Sequence, residues 1–210
     1  MADERSDADR REAFETALGS EYFALNGLRA GTTAEANARA TLFFTTLTGT
    51  LLALGFLYGN TTAAAPVSYA ALPTVGILGL LSFLRLVELA ALDVRALQAM
   101  NRIRDYWRDL APDGTEFFPR TAVGQAVDTV LDTGERRGLL RSTLTIAATV
   151  GLVDSLWIGA GVGFGVADAG SGTPLAVIIG SAIGLTIYGW MFRHQALRIG
   201  HVVGDAPTSR

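Results

Sequence analysis

Two long stretches of this 210-residue chain carry almost no charge, and that constrains its fold more than any other feature. No charged residue occurs from Ala40 to Leu84, and only Asp154 and Asp168 occur from Ser142 to Phe192. Turn-forming residues break each stretch near its middle: Asn60-Thr61-Thr62 through Pro66, and Asp168-Ala169-Gly170-Ser171-Gly172. About 20 apolar residues in a helix cross the roughly 30 Å hydrocarbon core of a bilayer. Each half-stretch is long enough. The pattern predicts an all-α polytopic membrane protein, with four transmembrane helices in two hairpins near residues 40–58, 66–84, 139–162 and 174–192.

The seventeen basic residues, all arginine, set the expected orientation. Five precede the first hairpin, nine lie between the hairpins from Arg85 to Arg141, three follow the second, and the tips have none. Basic residues close to short loops stay on the cytoplasmic side. Both termini and the central segment are therefore expected in the cytoplasm of a bacterial inner membrane. The expected divisions are a cytoplasmic N-terminal amphipathic helix and helical entry (1–39), a first transmembrane hairpin (40–92), a cytoplasmic helical segment (93–138), a second hairpin (139–193) and a cytoplasmic tail (194–210). The charged N-terminus lacks the apolar core of a cleavable signal, so the first span is expected to direct its own insertion.

Half of the residues are hydrophobic and only 18% are charged, too apolar a balance for an ordinary soluble domain. A net charge of −3 gives no sign of nucleic-acid binding. With no cysteine, disulfides, thiol catalysis and thiolate metal sites are excluded.

Outside the apolar stretches the periodicity is helical. Phe14, Ala17, Leu18, Glu21, Leu25 and Leu28 predict an amphipathic helix over about 7–28, ended by Gly31. Thr32 and Glu35 then have capping-box spacing for a new helix entering span one. Beyond span two an apolar stripe continues from Phe83 through Val87, Val94, Met100 and Trp107 to Leu110. It predicts one long cytoplasmic extension stopping at Ala111-Pro112, its stripe buried against the N-terminal helix or another subunit. A short helix is expected near 121–131. Trp157, Tyr188 and Trp190 fit interfacial anchors, and the tail from Gly200 is expected to be loose.

Asp154 is the one charge well inside a span. Such a carboxylate marks an ion path or proton relay, or serves as a structural polar contact. Thr41, Thr45 and Thr48 share one face of span one, extended by Asn37; they either line a water-filled vestibule or bond their own turns. Gly151, Ser155, Gly159 and Gly163 in span three, Gly180 and Gly184 in span four, and Gly55 with Gly59 in span one form smooth faces at four-residue spacing. Such faces pack membrane helices within a chain or between subunits. Arg85 and Glu88 read as charges at the inner boundary. No P-loop, HExxH or Gly-x-Ser-x-Gly occurs, so no catalytic residue, metal ligand or cofactor is expected.

The stretch Leu28-Arg-Ala-Gly-Thr-Thr-Ala-Glu-Ala-Asn-Ala-Arg-Ala, with Asn101-Arg-Ile-Arg-Asp-Tyr-Trp, resembles small four-span membrane proteins of GC-rich, actinobacterial-type bacteria. The polar entry to span one is similar to membrane effectors of the Pycsar and SLATT type, a likeness covering about a third of the chain. That resemblance implies membrane helices coupled to cytoplasmic helices, oligomerisation and membrane perturbation. The expected function is a non-enzymatic, homo-oligomeric membrane protein with channel- or pore-like activity, gated or assembled through its cytoplasmic helices. The alternatives are a non-conducting scaffold or sensor that binds a cytoplasmic protein partner through the long helix, and a small transporter.

Overall fold

A computed structural model describes residues 2–57, 61–111, 113, 117 and 145–204 of the chain. The expected short helix near 121–131 and the start of span three at Leu139 lie outside the described residues. Among those described, the fold is helical: α1 Ala2–Leu57, α2 Thr61–Leu110, α3 Ile146–Asp168 and α4 Thr173–Gly204. Each of the four contains an 18-residue window with mean hydropathy of 1.6 to 2.0, long and apolar enough to cross a membrane.

α1 and α2 are far longer than a crossing requires. Their 56 and 50 residues reach about 84 and 75 Å at 1.5 Å per residue. The excess of each packs against the other, and the contacts run antiparallel. Phe14 meets Tyr106 edge-on at 5.6 Å, Tyr22 meets Trp107 at 5.5 Å, and Arg29 pairs with Asp93 at 2.8 Å. Arg104 also donates to the Tyr22 hydroxyl and lies over its ring. The apolar stripe of α2 is thereby covered, in part, by the N-terminal half of α1, one of the two partners its periodicity allows.

The expected break at Gly31 is absent. α1 runs through Gly27 and Gly31 without interruption, and Thr32 does not cap a new helix. Its hydroxyl donates to the Arg29 carbonyl at 2.9 Å, within the same turn. Glu35 turns away from Thr32 toward two arginines: it accepts from Arg39 at 3.1 Å, and from Arg85 of α2 at 3.0 and 3.3 Å. Two arginines offer the carboxylate opposite charge and several N–H donors, whereas a cap offers it a single backbone N–H, so the arginine pairs win over the local motif.

Pro66 and Pro73 fall inside α2, which starts about a turn earlier than expected. Each proline removes a donor to the carbonyl four residues before it. Beside the second, the Leu72 carbonyl accepts a bond from Trp157 Nε1 at 3.0 Å. Trp157 is accordingly buried in the bundle, not an interfacial anchor.

α3 begins at Ile146, with Thr145 as its N-cap. The Thr145 hydroxyl accepts from the Ala148 amide at 3.2 Å and from Nε2 of buried Gln195 on α4 at 3.0 Å. The same side chain thus caps one helix and pins the next. α4 continues helically to Gly204, so residues 200–204, expected to be loose, are helical, and residues 205–210 lie outside the described set. The core where the helices meet is built from Phe43, Val75, Phe83, Val150, Trp157 and Met191.

Candidate functional site

Asp154 sits eight residues into α3, with no exposed surface. Neither carboxylate oxygen has a hydrogen-bond partner among the described residues. An isolated buried carboxylate is expensive, and no neighbouring hydroxyl is spent on it. Ser155, the adjacent residue, donates to its own Leu152 carbonyl at 2.8 Å instead. The room for Asp154 comes from Gly79 of α2. A Cβ at Gly79 would overlap Asp154 Oδ1 and come within 2.7 Å of the Phe43 ring of α1. Three helices therefore converge on this carboxylate, and no spacing or motif marks Gly79 as its neighbour.

The threonines of α1 point elsewhere. Phe43 and Leu47 face the core, whereas Asn37, Thr41, Thr45 and Thr48 lie on the opposite, exposed side. Thr46 and Thr50 donate to the carbonyls of Leu42 and Thr46, each at 2.8 Å. Thr74 and Thr186 do the same on other helices. Thr41, Thr45 and Thr48 make no such back-bond. The structure brings neither these hydroxyls nor Asn37 to Asp154.

The small residues divide into two sets. A Cβ at Gly159 would lie 2.7 Å from the Gly180 carbonyl oxygen, one at Gly184 2.9 Å from that of Ser155, and one at Gly163 3.1 Å from that of Ala176. This set brings the backbones of α3 and α4 together within one chain. Gly151 makes room for Phe83 and Met191. At Gly55, by contrast, a Cβ would meet open space, as it would at Gly27 and Gly31. Gly59 lies outside the described residues.

Arg85 bonds Glu88 at 3.2 Å and both oxygens of Glu35, which Arg39 also holds, so the boundary charges join a four-residue cluster that includes Glu35, the residue with capping-box spacing. Arg85, then Arg39, hold the Glu35 carboxyl below its ordinary range. Among the described residues no group of three His, Asp or Glu could hold a metal ion.

No protein-family model, curated protein or solved structure matches this chain.

Proposed function

We propose that the chain crosses the cytoplasmic membrane four times as two hairpins and assembles with copies of itself around a polar conduit lined by α1. Both termini lie in the cytoplasm. The contacts support this placement: Tyr69 near the start of α2 bonds Asp168 at the end of α3, and Gln98 of the α2 extension bonds the Val202 carbonyl of α4 at 3.4 Å. The arginine-free ends of the helices then share one side, and the arginine-rich ends share the other, as the distribution of positive charge favours.

One observation carries the conduit. Gly27, Ala34, Thr41, Thr48 and Gly55 recur every seven residues on the exposed side of α1, with Gly31, Ala38 and Thr45 beside them. None of the described residues covers this stripe, although the equivalent glycines of α3 and α4 are consumed inside the chain. Small residues at such spacing let a second helix approach closely. Hydroxyls without a partner are costly against lipid, whereas a water-filled path between copies satisfies them. The paired extensions of α1 and α2 continue the stripe beyond the membrane, where movement of one extension would act directly on span one.

Asp154 stands behind the conduit wall. Water reaches it only if Phe43 or the Gly79 turn of α2 moves, so its hydration is coupled to rearrangement of three helices. Conductance of the purified protein in planar bilayers tests the proposal. Discrete openings are expected; Thr41→Val with Thr45→Val and Thr48→Val should lower their conductance, and Asp154→Asn should change how often they occur. Silent bilayers containing folded, reconstituted protein would refute conduction.

A second reading, a non-conducting scaffold, draws on a different feature. Phe23 and Leu28 are 76% and 49% exposed on the charged extension of α1, an apolar surface suited to a cytoplasmic protein partner.

A further inference from the structure

A pocket of about 250 Å³ opens between α2 and α4 where the helices leave their apolar segments. Arg85, Arg95, Arg198 and His201 line it, with Glu88 as its one carboxylate. Glu88 is already paired with Arg85, and Arg85 with Glu35. Asp93, the acidic residue nearest Arg95 in sequence, is held by Arg29. Arg95 and Arg198 have no ion-pair partner among the described residues. Two guanidinium groups and an imidazole thus face one cavity without a matching anion.

The arrangement is built, not scattered over the surface. Arg198 and His201 are three residues apart and share a face of α4. The bond from Gln98 to the Val202 carbonyl fixes that end of α4 against α2. Val87 and Val202 form a buried floor beneath the charges. Arg193, on the same helix, lies about 140° around from Arg198 at 3.6 residues per turn and does not line the pocket.

We infer that this pocket binds a phosphate group, supplied by the headgroup of an anionic phospholipid in the cytoplasmic leaflet. Guanidinium groups match phosphate oxygens in geometry as well as charge. Basic pockets between membrane helices on the cytoplasmic side hold anionic headgroups in this way. Val87, Ala91, Leu92 and Val202 give the pocket an apolar lining beside its charges, against which the start of an acyl chain would lie. The lipid as source rests on the membrane placement proposed above; the phosphate chemistry does not.

The test uses the full chain in detergent with short-chain phosphatidylglycerol, short-chain phosphatidylcholine or inorganic phosphate, bound molecules being counted by native mass spectrometry. Phosphatidylglycerol should be retained in preference to phosphatidylcholine. Each arginine removed near an anionic headgroup weakens binding about fivefold, so Arg95→Gln with Arg198→Gln should weaken it about thirtyfold by the same figure. Arg193→Gln should leave it unchanged. Helical content and thermal midpoint establish that both variants fold, and both arginines are exposed, so neither change disturbs the core. Equal retention by the double variant and the parent would overturn the site, as would an equal loss in Arg193→Gln. Arginine-dependent binding of inorganic phosphate without retention of phosphatidylglycerol would overturn the lipid as occupant. Conductance is not read, so failure of the conduit and failure of this site remain distinguishable.

Discussion

Gly79 on α2 lies where any side chain would collide with Oδ1 of Asp154 on α3. In an open helical position glycine-to-alanine stabilises by up to about 1 kcal/mol, because alanine is the better helix former. At Gly79 the opposite is expected. Overpacking a closed core costs about 1–3 kcal/mol, and Phe43 on the far side prevents the new methyl from moving away. Gly79→Ala should therefore lower stability in detergent unfolding, and Asp154→Ala in the same chain should recover most of the loss. Additive effects of the two changes would show that the residues are not in contact.

The Glu35–Arg85 contact supplies a pH dependence. Arg85 and Arg39 hold the Glu35 carboxyl below its ordinary value of 4.5. A group whose folded pKa is depressed adds stability above its unfolded value, and that stability is lost as pH falls through the folded value. The thermal midpoint of the parent should exceed that of Glu35→Gln at neutral pH. The difference should shrink once pH drops below 4.5 and vanish in stronger acid. Both side chains remain more than a third exposed, at 37% and 39%, so added salt should also narrow it.

Two glycine substitutions separate packing within the chain from packing between chains. Gly159→Leu drives a side chain into the Gly180 carbonyl of α4. It should destabilise the protein at every concentration, as should its combination with Gly151→Leu. At Gly55 an added Cβ meets nothing among the described residues. Gly55→Leu should leave thermal stability of the dissociated protein intact while weakening self-association in cross-linking or sedimentation. A strictly monomeric parent would remove the oligomer.

The four apolar helices were legible because lack of charge over such lengths has few other solutions, and the extension of α2 was legible because its stripe keeps helical spacing from Phe83 to Leu110. Local grammar misled at Gly31 and Thr32. Among the described residues nothing lies near enough to Gly31 to be displaced, and a continuous helix there is held by side-chain pairs to α2, which short-range motifs cannot report. Asp154 stood out as a lone charge, but its neighbours did not: Phe43 and Gly79 are 111 and 75 residues away and look like any other member of an apolar run. Arg95 and Arg198 meet for a similar reason, since only the docking of α4 on α2 joins them.

Topology is open to a direct check. A reporter inserted at Asp113 should read cytoplasmic, and one at Gly170 external. An external signal from Asp113 would contradict the two-hairpin arrangement.

The conduit itself is tested most directly by thiol accessibility in this cysteine-free chain. Single cysteines at Thr41, Thr45 and Thr48 are compared with cysteines at Ile178 and Leu185, which are exposed on α4 within its apolar segment. Only a hydrated thiolate reacts quickly. In membranes, a membrane-impermeant reagent should modify the three α1 positions and spare the two on α4. Equal protection of all five would contradict a water-lined α1.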